Sequence, residues 1–313
     1  MELEKNITCL ICKNINLVKN VAVVTNVWKS SHDITFCESC KGYFLDQMPS
    51  QEEYESIYKN SYYDEKFKIA DLIKPLFRRA RCISQFEYIK KRAQLNVNGK
   101  SAIEIGAGDG MLLSLFKNEG ALTKGVEFSD HYRDYCKKKY DILLQSLDYF
   151  EIHGQFDILM MSHVLEHFCD VQKVMKKAHE LLKPGGYFFI EIPNSPLSSN
   201  VPGEFLSQFL NTIHTFNFTP TSITKLVNQH PFEIINIERF TYRLSANLNR
   251  AQSDKISQAL LEGSGLSYWM LPEIARYILM ISLRPNSSYR PIIDLESTCT
   301  GMGDNIRLIL KAK

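Results

Sequence analysis

Paired cysteines, a glycine turn flanked by carboxylates, and a few histidines are the residues of this chain whose types and spacing could do chemistry. Cys9-x-x-Cys12 and Cys37-x-x-Cys40 form two pairs separated by 24 residues. A Cys-x-x-Cys turn presents two sulfurs to one ion, and thiolates favour tetrahedral zinc. With cysteine at all four positions no coordination site stays open for water, so the expected Zn2+ is structural. Redox work needs only one such pair and leaves the second without a role. Cys82, Cys136, Cys169 and Cys299 are scattered.

The glycine turn lies in SAIEIGAGDGMLLSLF, residues 101–116. A short apolar run breaks into Glu104-x-Gly106-x-Gly108-x-Gly110, and an apolar helical pattern follows. Glycines let a backbone turn tightly and approach a ligand closely. A dinucleotide site needs G-x-G-x-x-G, but the third residue after Gly108 is Met111, which disfavours a dehydrogenase. A pyrophosphate also wants bare amides at a helix N-terminus. Here Glu104 and Asp109 repel phosphate and attract a cation. Glu127 ends the next apolar run, where a carboxylate can accept both hydroxyls of a ribose. The expected ligand has a ribose and an adenine, no pyrophosphate, and positive charge near Glu104. S-adenosyl-L-methionine fits that description.

Short apolar strands must position these groups, and the pattern places them at 101–105, 122–127, 141–145, 156–161 and 186–192, with amphipathic helices between. That is the signature of an α/β, doubly wound, Rossmann-like sheet. The first helix should bury Leu112, Leu115 and Phe116, with Asp109 as its cap and Gly120 as its end. A later helix carries Val171, Val174, Met175, Ala178, Leu181 and Leu182 on one stripe and stops at LKPGG. Thr219 should cap a helix with Pro220 at its first position. FEIINIERF (232–240) reads as a sixth strand and DNIRLILKA as a closing one. The chain therefore divides into a cysteine module over 1–48, a helical connector over 49–98 that Pro75 should interrupt or kink, a core over 99–240, a helical insertion over 241–303, and a closing strand over 304–313.

EIGAGDG resembles motif I of class I S-adenosylmethionine-dependent methyltransferases. Further matches follow in order: GVEFS, FDILMMSHVLEH and LLKPGGYFFIEIPN. GMGDNIRLILKAK resembles the last, antiparallel strand of that seven-stranded fold. The resemblance implies that Gly106, Gly108 and Gly110 line the methionine and ribose portion with Glu104 below them. It implies that Glu127 binds the ribose and Phe128 packs on the adenine. Ser146 stands where many members have an aspartate, Leu147 would supply an amide to the ring, and Asp148 could reach the exocyclic amine. Ser162 and His163 should lie near the donor's amino acid part and methyl group. The N-terminal CESCKGYFLDQMPSQEEYESIYKNSYYDE resembles the zinc-binding head of bacterial methyltransferases in cell-surface sugar, antibiotic-sugar and capsule pathways, including sugar C-methyltransferases. The family usually has CGxxF after the last cysteine, whereas Lys41-Gly42 follows Cys40 here. That head implies acceptor contacts for Tyr62 and Tyr63, with Asn194 and His214 on the core side.

Transfer of a methyl group from a sulfonium needs alignment and, for an alcohol or carbon acid, a base. Histidine is the commonest proton acceptor near neutral pH. His214, in HTFNFTPTSI, resembles an element that faces the acceptor in the relatives and is the first candidate base. His163 is the second. His167 follows Glu166, which could instead be part of a structural helix start. The implied activity is methylation at O, N or C of a small polar acceptor, most of all a nucleotide-activated sugar or capsule or surface-glycan precursor. A nucleic-acid or protein methyltransferase is the alternative, but SHVLEH replaces the N/D-P-P-Y/F element of amino-methylating members. A non-catalytic zinc-headed binding protein is another, although it would not need the intact glycine turn and ribose carboxylate. Net charge is +2 and charged residues make up 23%, so nucleic acid is not the expected partner. The N-terminus lacks the pattern of a signal peptide and no apolar run approaches the ~20 residues that span a bilayer. The expected location is the cytoplasm.

Overall fold

The structure is a computed structural model that describes residues 8–15, 17–24, 31–50, 70–195, 214–240 and 305–313. The chain divides into two units: residues 1–65, 85–240 and 297–313 form one, and residues 66–84 and 241–296 the other. The described part of the second unit is residues 70–84, in helix α1 (Ala70–Ala93). This helix runs through Pro75 without a break, so the expected interruption is absent. Tyr62, Tyr63 and the insertion over 241–303 lie outside the described residues.

The first unit holds a six-stranded sheet among the described residues: β4 (Ser101–Ile105), β5 (Leu122–Val126), β6 (Phe156–Ser162), β7 (Leu182–Pro193), β9 (Phe232–Phe240) and β10 (Asn305–Ala312). Their order is β5-β4-β6-β7-β10-β9. The β5–β4, β4–β6 and β6–β7 pairs are parallel, and β10 runs antiparallel to both β7 and β9. The expected strand over 141–145 is reduced to one bridge, Val126 with Gln145. Central strands of such a sheet are covered on both faces, so they read as unbroken apolar runs. Leu159, Met160 and Met161 on β6 and Phe188, Phe189 and Ile190 on β7 are all fully buried. Burying each such side chain stabilises the fold by roughly 1.5–3 kcal/mol.

Helix α2 (Met111–Asn118) buries Leu112, Leu113 and Phe116. Leu113 thus takes the place expected for Leu115, which is only partly buried. Its N-cap is Gly110 with no side-chain cap, although Asp109 Oδ1 accepts from the Met111 amide at 3.1 Å. Helix α3 (Asp130–Tyr140) is capped by Ser129. Helix α4 (Val171–Glu180) is capped by Asp170, which accepts from the amides of Gln172 and Lys173. It buries Val171, Val174, Met175 and Ala178, the stripe legible in the sequence. Helix α5 (Pro220–Val227) starts at Thr219 with a reciprocal capping box to Ser222 and Pro220 at its first position.

A second, four-stranded sheet joins the N-terminal residues to the middle of the chain. Its order is β1 (Leu17–Val24), β2 (His32–Cys37), β3 (Tyr43–Leu45) and β8 (Phe216–Asn217). In the β3–β8 pair Tyr43 faces Asn217 and Phe44 faces Phe216. Among the described residues no helix is long and apolar enough to cross a membrane.

Candidate functional site

The two cysteine turns repeat one geometry. Lys13 and Lys41, each directly after the second cysteine of its pair, are left-handed at φ 64° and 61°. Each donates its amide to the carbonyl of the first cysteine, Cys9 at 2.9 Å and Cys37 at 2.7 Å. The four sulfurs lie within 4.8 Å of one another, with Cys9–Cys40 at 3.7 Å and Cys12–Cys37 at 3.6 Å. A disulfide would need about 2.05 Å. Four thiolates about 2.3 Å from one zinc stand roughly 3.8 Å apart, so the donor set fits that ion. The thiols also oppose one another electrostatically. Hydrogen bonds from Cys40 and Cys9 hold Cys37 far below the usual thiol range, while contact with Cys37 and burial push Cys9 and Cys40 up. A cation is what lets all four ionise together.

At the C-terminal end of β4 the chain enters the glycine turn. Gly106, Gly108 and Gly110 have φ of 66°, 55° and 75°. A Cβ at Gly106 would stand 2.6 Å from Val164 Cγ2, and one at Gly110 would collide with Cys136 Sγ. Both conformation and space therefore require glycine here. Glu104 is buried at the end of β4. Glu127, just past β5, is buried as well and closes the turn. Its Oε2 accepts from the Gly108 amide at 2.8 Å and its Oε1 from the Ser129 amide at 2.9 Å. Phe128 is 57% exposed, an apolar ring standing in the open beside this carboxylate. The Glu127 amide donates to the Gln145 carbonyl at 3.0 Å, which sets Ser146 and Leu147 alongside. Asp148 caps the short 3-10 turn Tyr149–Glu151 by accepting from the Phe150 amide.

Beside the glycine turn β6 ends at Ser162, and His163 follows it at φ 55°. A non-glycine residue so placed is strained, and such strain gathers at functional sites. The His163 amide is fixed by the Glu191 carbonyl at 2.7 Å. Its ring lies between two buried carboxylates, with Nδ1 3.6 Å from Glu166 Oε1 and Nε2 3.4 Å from Glu191 Oε1. Gln85 Nε2 donates to both Glu191 Oε1 and Ser162 Oγ at 2.8 Å. His167 and His214 meet ring to ring at 4.8 Å, and the Nε2 of each stands 3.9 Å from Glu166 Oε1. Burial drives His214 down to about 4 despite the pull of Glu166. Burial pushes Glu166 up, but His163, His167 and His214 outweigh it and hold this carboxyl at about 2.

The histidines expected to matter are thus together, although His214 is far from the other two in the chain. Thr215 locks that meeting. Its amide and Oγ1 donate to the Glu166 carbonyl, and its Oγ1 also reaches the Phe168 carbonyl. Asn194 is bridged to Phe218, close to the same segment. Glu191, Gln85 and Asn217 belong to this cluster and were not legible as such. Glu191 had one signal, a charged residue inside the apolar run YFFIEIP. Asn217 hydrogen-bonds His214 from β8, and Gln85 carried no signal.

A family model described as a methyltransferase domain matches residues 76–237, more than half of the chain. The chain belongs to this methyltransferase domain family. It is similar to the ubiquinone biosynthesis O-methyltransferase of Coxiella burnetii, with 27% identity over 163 residues, 50% of this chain and 63% of that protein. The match therefore spans less than two thirds of that relative. The enzyme of the same name from Thiobacillus denitrificans is 25% identical over 186 residues, 54% of this chain and 79% of that protein. Among solved structures, a magnesium protoporphyrin IX methyltransferase from Synechocystis with bound SAH is similar at 16% identity and a TM-score of 0.46 over 58% of this chain and 85% of that one. A SAM-dependent methyltransferase from Archaeoglobus fulgidus is similar at 17% identity and a TM-score of 0.46 over 78% of this chain and all of that one.

Proposed function

We propose that this chain is an S-adenosyl-L-methionine-dependent methyltransferase acting on a small polar acceptor, with a structural zinc held by Cys9, Cys12, Cys37 and Cys40. The observation that carries the reading is the closure of the glycine turn by Glu127. Amides anchor its carboxylate at the strand end, where a ribose can take the remaining lone pairs, and the turn offers the donor no phosphate cradle. Gly106, Gly108 and Gly110 line the methionine and ribose portion, and Glu104 attracts the donor's positive charge. Phe128 stacks on the adenine, with Ser146, Leu147 and Asp148 at the ring edge. Ser162 and His163 border the methyl group.

The transfer is an in-line displacement. The acceptor atom forms a bond to the methyl carbon as the carbon–sulfur bond breaks, and the sulfur leaves neutral. The protein's work is alignment, exclusion of water and removal of the acceptor's proton. His214 is the first candidate base and His163 the second, with His167 beside them. Tyr62, Tyr63 and Asn194 contact the acceptor.

The resemblance of the head favours a nucleotide-activated sugar or a capsule precursor. A second reading is supported by the similarity to ubiquinone biosynthesis O-methyltransferases: O-methylation of a ubiquinone precursor. The experiment is a labelled-methyl transfer assay against nucleotide sugars, capsule precursors and ubiquinone precursors, after S-adenosylmethionine binding is measured by calorimetry. No cofactor binding sinks the reading. Transfer to ubiquinone precursors alone replaces the sugar acceptor.

A further inference from the structure

Glu166 is a buried ionisable group to which the preceding account gives no task. It sits on the one-turn 3-10 helix Leu165–His167 and is 1% exposed. Neither carboxylate oxygen is hydrogen-bonded among the described residues. Three imidazole nitrogens instead surround Oε1: His163 Nδ1 at 3.6 Å, His167 Nε2 at 3.9 Å and His214 Nε2 at 3.9 Å. They come from two separate segments, the tip of β6 and the residue before Thr215.

Stripping a carboxylate of water costs several kcal/mol unless opposite charge lies close. An isolated buried carboxyl would take up a proton. This one is held ionised by the three histidines. A protonated imidazole does that more strongly than a neutral one, so the geometry favours one resident proton in the cluster. His163 is the natural holder, because its second nitrogen faces Glu191, a second buried carboxylate. His214 is the natural vacancy. It is the histidine that burial drives down, and it faces Glu166, His163, His167 and Asn217.

We propose that Glu166 is a positioning residue, the shared counter-ion that keeps one resident proton on His163 or His167 and so leaves His214 neutral to receive the acceptor's proton. This rests on the methyltransferase reading above. As the methyl group leaves sulfur for the acceptor atom, that atom's proton passes to the His214 ring. The second imidazolium is balanced by Glu166 and Glu191 and then gives its proton to water. Interacting groups of this kind titrate as a set.

The test needs no acceptor. Imidazole titrations are read by nitrogen NMR on the full chain labelled at histidine, beside a short histidine peptide as reference. Metal content is measured on the same samples. In the native protein one imidazole of the cluster should titrate above the reference peptide. Glu166→Gln keeps the shape and removes the charge, so that imidazole should lose at least tenfold in proton affinity, about one pH unit. Glu166→Asp should lose less, and it carries the test if the Gln variant does not fold. Titrations unchanged in both variants overturn the proposal. So does a second bound metal, beyond the one in the head, that disappears with Glu166→Gln, because Glu166 would then be a ligand of that metal. Calorimetry with S-adenosylmethionine on the native protein separates the two claims. Failure to bind it removes the methyltransferase reading and leaves the titration result standing.

Discussion

Gly108 donates its amide hydrogen to Glu127 Oε2 at 2.8 Å, across 19 residues of chain. This bond ties the glycine turn to the end of the neighbouring strand, so the turn's shape and the position of the carboxylate are one structural fact. Glu127→Ala should therefore lower affinity for S-adenosylmethionine by 10- to 100-fold. A hydrogen bond to a charged group contributes about 1.5–3 kcal/mol, and about 1.4 kcal/mol is tenfold. Glu127→Gln should lose less, since one acceptor oxygen remains. Calorimetry decides; unchanged affinity in the Ala variant removes Glu127 from the binding site.

Gly110 and Gly99 separate backbone strain from crowding. Both are left-handed, at φ 75° and 71°, but an added Cβ at Gly110 meets Cys136 Sγ and one at Gly99 meets nothing within 4 Å. Gly99→Ala should cost about 1–2 kcal/mol. Gly110→Ala should cost a further ~1–3 kcal/mol through overpacking. Thermal unfolding should show the difference as several degrees, and Cys136→Ala in the Gly110→Ala background should recover part of it. Equal losses at the two glycines would contradict the packing found here.

Stability should fall with acid in two successive windows. His214 is held at about 4 in the fold, against about 6.5 when unfolded. Above pH 6.5 its neutral form is common to both states. Between 6.5 and 4 the unfolded chain binds the proton and the fold does not, so stability is lost as pH falls, on the order of 3 kcal/mol. Glu166, held at about 2 against a usual 4.5, contributes stability above pH 4.5 that is lost as pH falls further towards 2. Urea unfolding at pH 7, 5 and 3 measures both. His214→Gln should flatten the upper window and, by removing one of the three rings that hold Glu166 down, narrow the lower one.

One zinc per chain is expected by metal analysis, released by a strong chelator and absent in Cys37→Ser. Because β8 completes the sheet of the head, loss of metal should also speed hydrogen exchange at residues 215–219. Cys9 and Cys12 found joined as a disulfide, with no zinc bound, would remove the site.

His214→Ala and His163→Ala test the base directly. At least one should lose 10²- to 10⁴-fold in the rate of labelled-methyl transfer, while S-adenosylmethionine affinity changes by less than tenfold in both. Full transfer activity in both variants ends the assignment.

The strands and helices around the turn were legible because their signals are local. Period, caps and breakers placed β4, β6, α4 and α5 within a few residues. Leu113 replaced Leu115 because helix phase depends on where the turn lets go, and Gly110 rather than Asp109 sets that point. The strand over 141–145 shrank to the Gln145 bridge because only its last residue comes alongside β5, where Gln145 exchanges backbone bonds with Gly125 and Glu127. The histidines were visible as residue types, but their meeting at Glu166 was not. It depends on Thr215 hydrogen-bonding a carbonyl 49 positions earlier in the chain, and no sequence period encodes such a contact. Gln85 was invisible for the same reason, since it reaches Glu191 across 106 positions.

The two-residue strand β8 gives the head a claim on the rest of the molecule. Leu45 donates to the Thr215 carbonyl at 3.0 Å, Thr219 Oγ1 to the Cys40 carbonyl at 3.3 Å, and Lys225 Nζ to the Ser39 carbonyl at 2.6 Å. The segment that carries His214 is thus part of the cysteine module's own framework. On the proposed reading, loss of the head's metal would loosen the segment that carries His214 while the glycine turn, closed by Glu127, keeps its shape.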